Sequence, residues 1–216
     1  MSNEIDFDTP EEFGGGGQFL DAPGIYHCLV QSILNGETPK GTAIDGFCIT
    51  LEVLAGNVEG QVGKTINLTY FNPKINDSEK KAKLTKQQRS KLFIATNLLD
   101  PSRKGQSVKI SLDQAKDQQL VARFEVDDYH SGEGKTYLQI ANAELDVWHV
   151  DDPNAKSCPK NEKALALIPK QLRRGPEFFE AIYKKKAAPA SAAAGAGSAS
   201  AGSSPVAGSR VNLDDL

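Results

Sequence analysis

The side chains most able to do chemistry in this chain are cations and rings rather than nucleophiles. Lys80, Lys81, Lys83, Lys86, Arg89 and Lys91 crowd one short segment. Lys40, Lys64, Lys74, Arg123 and Lys135 lie in or beside segments with strand patterning. Phe71 shares the Asn67/Thr69 side of its strand and should face outward, while Tyr129 and Tyr137 flank a glycine-rich loop. A positive groove that follows phosphates, with exposed rings on which bases stack, holds a single-stranded nucleic acid without reading its sequence. The competing reading is structural. Aromatic residues are only 7% of the chain, so most rings are needed inside, and Phe47, Tyr70, Phe124 and Trp148 are the core candidates. The basic segment could equally be a solvated helix face.

Other chemistries find little support. The three cysteines, Cys28, Cys48 and Cys158, are far apart and odd in number, which argues against a disulfide framework or a zinc site. Cys28 and Cys48 fall inside strand-like runs as buried thiols. His27, His130 and His149 have no ligand spacing with them. Asp127-Asp128 and Asp151-Asp152 are adjacent pairs, and neighbours on a strand point to opposite faces. No P-loop, H-E-x-x-H or G-x-S-x-G is present. The expectation is a non-enzymatic protein with no metal and no cofactor. A metal-dependent nuclease is the weaker alternative, and an adaptor protein without nucleic-acid binding is another.

The elements that must position these residues can be read from periodicity. Ile25 to Leu34 reads as a strand apolar on both faces, and Asn35 to Ile44 as a loop. Phe47, Ile49, Leu51 and Val53 alternate against Cys48, Thr50 and Glu52, as do Ile66, Leu68 and Tyr70 against Thr65, Asn67, Thr69 and Phe71. That period of two marks half-buried strands. Thr85-x-x-Gln88 has the form of a capping box, with Gln88, Leu92, Ala95 and Leu99 at helical spacing and Asp100-Pro101 as the stop. Strand patterning resumes at Gln118 to Val126, then at Lys135 to Ala141, which Glu144 to Val150 extends. The reading is mainly β: a five-stranded OB-like Greek-key barrel with a helix between strands 3 and 4.

Composition divides the rest. Apolar residues are 39%, low for a chain folded throughout, and the deficit is local. Residues 1–18 read as a disordered acidic and glycine-rich arm, 19–150 as the OB-fold domain and 151–186 as a basic helical extension. In that extension Leu165 to Pro169 docks on the core, and Gly175-Pro176 opens a short helix running to Tyr183. Residues 187–210 are an Ala/Gly/Ser linker too poor in apolar surface to order, and 211–216 form an acidic-hydrophobic tip. Net charge is only −3, but it is unevenly spread. Ten bases fall between Lys74 and Lys109, and eight between Lys160 and Lys186. No signal peptide or membrane-length apolar stretch is present, so the expected location is the cytoplasm, with no membrane partner.

Gly24-Ile25-Tyr26, then Phe47-x-Ile49-x-Leu51-Glu52-Val53-Leu54-x-Gly56, Gly60-x-x-Gly63-Lys64, and Phe124-x-Val126 to Tyr137-x-x-Ile140 together resemble a family of phage-encoded proteins. The family is largely catalogued as a domain of unknown function and regarded as OB-fold single-stranded DNA-binding proteins of replication and recombination modules. The resemblance covers about residues 19–150 and implies that fold and that ligand. The tail resembles the disordered linker and acidic end of bacterial and phage single-stranded DNA-binding proteins. By that likeness Asp214, Asp215 and Leu216 would engage replication or recombination partners, a basic pocket taking the carboxylates and an apolar slot the leucine. This end departs from the pattern in having only two Asp and a terminal Leu rather than an aromatic ring.

Overall fold

A computed structural model describes residues 19–103, 105–129 and 137–183. The N-terminal arm, Lys104, the loop 130–136 and everything after Tyr183, including the linker and the tip Asp214, Asp215 and Leu216, lie outside the described residues.

Strand β1 (Gly24–Glu37) and strand β2 (Ala43–Gly56) form one long antiparallel hairpin. Pairing continues well into the stretch that reads as a loop. The register slips between Asn35 and Glu37, and Gly36 adopts a φ of 81° inside that slip. A residue without Cβ absorbs the bulge and lets the ladder resume at Glu37–Ala43. Strand β3 (Thr65–Phe71) then pairs with β2, its Phe71 opposite Gly46. Gly46 has a φ of 155°, and a Cβ there would lie 2.1 Å from the Tyr70 carbonyl oxygen, so this crossing needs glycine.

Helix α1 spans Glu79–Ala95. It begins six residues before the expected Thr85, which is an interior position. Its cap is Ser78, whose hydroxyl accepts from the Lys81 N–H. It also ends earlier than Asp100-Pro101. Asn97 takes a left-handed φ of 60°, the Leu98 N–H donates to the Phe93 carbonyl and the Asn97 N–H to that of Ile94. That pattern is a Schellman stop with asparagine in the left-handed position.

Strand β4 (Gln119–Val126) pairs with the first half of β1. On its other edge it carries two short strands, β5 (Leu138–Ile140) and β6 (Val147–His149), both antiparallel to it. They are the two halves of the strand expected over 135–150. The break between them is a tight turn in which Asn142, Ala143 and Glu144 all have positive φ. The sheet therefore has six strands, in the order β3-β2-β1-β4-β5 with β6 also on β4, and it is open.

Its core is the face predicted by the alternation: Phe47, Ile49, Leu51 and Val53 of β2 are fully buried with Tyr26, Val30, Leu120 and Phe124. Leu92, Phe93 and Ala95 of α1 close over them. All three cysteines are buried free thiols. The segment after β6 packs onto β4 through Ala155 and Cys158, which cluster with Val121, and Phe179 of the helix Pro176–Tyr183 is buried beside the His149 ring of β6. No helix among the described residues is long and apolar enough to cross a membrane.

Candidate functional site

Where β3 ends, the chain leaves the sheet at Phe71-Asn72-Pro73 and turns into α1. Asn72 fixes this departure. Its N–H donates to the Asp45 carbonyl at 2.9 Å and its side-chain amide to the Asp45 carboxylate at 2.7 Å. Asp77 closes the loop by accepting from the Lys74 N–H at 2.8 Å and pairing with Lys81 at 2.9 Å. Those two interactions hold its carboxyl below the ordinary range, the backbone bond contributing most.

The result is a cleft of about 430 Å³ between the end of β3 and the first half of α1. Phe71, 52% exposed, stands at its mouth. Lys74 and Arg89 supply positive charge, Lys81 is paired with Asp77, which also lines the cleft, and Glu144 lines it from the turn beyond β5. The sheet is thus curled enough for its two ends to contribute to one cleft. Ile75, in the connecting loop, is fully exposed.

Arg89 sits deeper. Its guanidinium donates to the Asn72 side-chain oxygen and lies 5.5 Å from the Phe47 ring centre and 5.9 Å from that of Phe93. No carboxylate among the described residues forms an ion pair with it. Burial lowers its pKa, offset in part by the Asp45 charge. A second cleft, about 480 Å³, lies on its other side, lined by Phe47, Phe93, Ile110 and Leu112. Asn72 and Arg89 are common to both clefts.

Glu144 is held by an unusual backbone. Three consecutive L-residues in the left-handed region cost on the order of 1–3 kcal/mol each. The Gln88 amide of α1 donates to the Ala143 carbonyl at 2.9 Å, and the Asn142 amide donates to Asp146 at 3.1 Å. Burial raises the Glu144 pKa, and the Asp127 charge adds to it. Its carboxylate has no hydrogen-bond or ion-pair partner among the described residues. Tyr70, 3% exposed and stacked on Phe47 at 5.2 Å, also lines the cleft, and its hydroxyl is buried without a hydrogen bond.

The residues expected from sequence are spread over several parts of the structure. Phe71, Lys74 and Arg89 meet at the cleft. Lys86 is exposed on α1 but does not line it, and Lys40 is exposed in the β1–β2 turn. Lys64 and Arg123 are committed to carboxylates: Lys64 pairs with Asp21 at 2.9 Å with its side chain only 12% exposed, and Arg123 pairs with Asp146. Tyr129 and Tyr137 are exposed at the two ends of the β4–β5 loop. There the Asp127 N–H donates to the Tyr137 carbonyl and the Asp127 carboxylate accepts from the Tyr129 N–H. Lys135, within that loop, lies outside the described residues. Asn72, Tyr70 and Glu144 were not singled out from sequence as site residues.

The Asp151-Asp152 pair has structural duties. Asp151 is gripped by the Arg173 guanidinium and accepts from the Arg174 N–H. Asp152 accepts from the Asn154 N–H and from the Tyr183 hydroxyl. Among the described residues no three His, Cys, Asp or Glu side chains gather where they could hold a metal ion. No protein-family model matches this chain, and no curated protein matches it.

Proposed function

We propose that this chain binds single-stranded DNA in replication or recombination, as its resemblance to the phage proteins implies, with the β3–α1 cleft as the centre of the binding surface. The observation that carries the proposal is the half-exposed Phe71 ring beside Lys74, Lys81 and Arg89. A ring and several cations at one cleft supply the stacking platform and the phosphate track that single-strand binding requires. The strand order β3-β2-β1-β4-β5, with α1 between β3 and β4, supports an OB-like plan. In such a plan oligonucleotides lie across strands 2 and 3 and the β1–β2 and β4–β5 loops. Phe71, Lys40, Lys135, Tyr129 and Tyr137 belong to those parts.

A fluorescence-anisotropy titration of the full chain tests the proposal with unstructured oligothymidine, a matched duplex and an RNA oligomer over a salt series. Single strands should bind more tightly than duplex, with a log–log salt slope of roughly −2 to −4 for about three to six phosphate contacts. Equal affinity for duplex, or binding indifferent to salt, contradicts it. The proposal extends to the tip: Asp214, Asp215 and Leu216 recruit partner proteins. Deleting Asn212 to Leu216 should leave the melting temperature and DNA binding intact and abolish partner capture in a pull-down. Loss of DNA affinity on deletion would place the tip in the binding site instead.

A further inference from the structure

The β3–α1 cleft holds more than a stacking ring needs. Stacking and phosphate contacts call for rings and cations, and a carboxylate inside such a cleft repels the backbone it is meant to hold. Yet Glu144 reaches into it from the far end of the sheet, on a backbone that three left-handed L-residues keep in place. Tyr70, whose hydroxyl is buried and unbonded, lines the same space. Buried polar atoms are nearly always bonded, and a native exception calls for a reason. One group with hydrogen-bond donors for the carboxylate and an acceptor for the hydroxyl would satisfy both.

We propose, building on the reading of the chain as a single-strand binder, that this cleft takes one unstacked nucleobase edge-on and prefers guanine. Guanine is the base whose Watson–Crick edge carries two adjacent donors, the ring N1–H and the exocyclic amino group. A carboxylate can accept both with its two oxygens. The neighbouring O6 is an acceptor, suited to the Tyr70 hydroxyl. Thymine offers one N–H between two carbonyls, which repel the second carboxylate oxygen. The Phe71 ring at the mouth covers the base face, and Lys74 and Lys81 lie where flanking phosphates leave the cleft. A volume of about 430 Å³ lies within the usual range of small-ligand sites, roughly 300–1,000 Å³. Glu144 is half-buried, and its carboxylate has no hydrogen-bond or ion-pair partner among the described residues.

The test uses the full chain and a short oligothymidine in which one central thymine is replaced by guanine, cytosine or adenine. The guanine-bearing strand should bind on the order of tenfold more tightly than the all-thymine strand, the discrimination expected of one well-placed base-edge pair. Glu144→Gln should erase that advantage, so that the guanine-bearing strand binds no more tightly than the all-thymine strand. Tyr70→Phe should reduce the guanine preference with no loss of melting temperature, because the hydroxyl it removes bonds to nothing in the free protein. A purely structural tyrosine would leave base preference untouched. Salt-sensitive single-strand binding that is equal for all four strands overturns the guanine site and leaves the broader function standing. Absence of single-strand binding overturns both.

Discussion

The two flanks of the sheet treat their polar groups in opposite ways. On the β4 flank nearly every buried polar atom has a partner. Buried His27 sits 2.9 Å from the Gln119 side-chain oxygen and accepts from the Asn161 N–H at 3.1 Å, while Gln119 in turn donates to the Ala164 carbonyl. Asp151 is enclosed by Arg173 and Arg174, and Tyr183 donates to Asp152. The His27 and Gln119 bonds tie the segment after β6 to the sheet across long sequence separations, and the Asp151 and Asp152 bonds hold that segment to itself. On the β3–α1 flank the Tyr70 hydroxyl has no partner, and Glu144 and Arg89 have no ion pair among the described residues. Satisfied networks hold a fold together, and the Tyr70 hydroxyl is the one buried side-chain polar atom among the described residues without a hydrogen bond.

Removing a core ring should show the largest effect. Phe47 is fully buried, stacks on Tyr70 and Phe93, and lies beneath the Arg89 guanidinium. Phe47→Ala should cost about 3–5 kcal/mol in denaturant unfolding, as a truncated core aromatic does. Oligothymidine binding should fall with it, because Phe47 packs against Tyr70 and Arg89, two of the residues that line the β3–α1 cleft.

Acid should break the satisfied flank next. Burial lowers the His27 pKa from 6.5 to about 4, with the Gln119 bond opposing the shift, so the folded state keeps this ring neutral. An unfolded chain takes up the proton first as pH falls below 6.5. The stabilisation is therefore complete above that pH and is lost as pH falls through about 4. It amounts to on the order of 2–3 kcal/mol. Melting temperatures of the wild type and of His27→Gln across that window should converge on acidification. Parallel curves would assign the acid sensitivity elsewhere.

Smaller effects separate the two flanks in binding. Phe71→Ala should weaken oligothymidine binding by roughly 1–3 kcal/mol with an unchanged melt, since the ring is exposed and contributes little to the core. Lys64→Ala should do least, within about 1 kcal/mol in either assay, because its charge is already spent on a solvent-facing Asp21. A large loss of affinity in Lys64→Ala would move the binding surface to the Asp21 side of β3.

What the sequence made legible follows from period and burial. The alternation of β2 and β3 placed Phe47, Ile49 and Leu51 inside and Phe71 outside, because a strand buried on one face must alternate. The start of α1 was hidden by a decoy: Thr85 and Gln88 have capping-box spacing, whereas Ser78, the true cap, is followed at the third position by Lys81. The break between β5 and β6 left no trace, since Ala143 and Glu144 give no hint of a left-handed backbone. That break is what delivers Glu144 to the cleft. Nor could charge counting tell a spent cation from an available one. Lys64 and Asp21 are 43 residues apart, and only the fold brings them together.

The most direct test of the account is where a bound strand touches the protein. An oligothymidine carrying a single iodouracil, irradiated in complex with the full chain and mapped by mass spectrometry, reports the ring on which that base stacks. The account predicts cross-linking in the peptide that contains Phe71, lost in Phe71→Ala while binding persists at reduced affinity. Cross-links confined to the opposite flank, around Trp148 or Leu167, would contradict it.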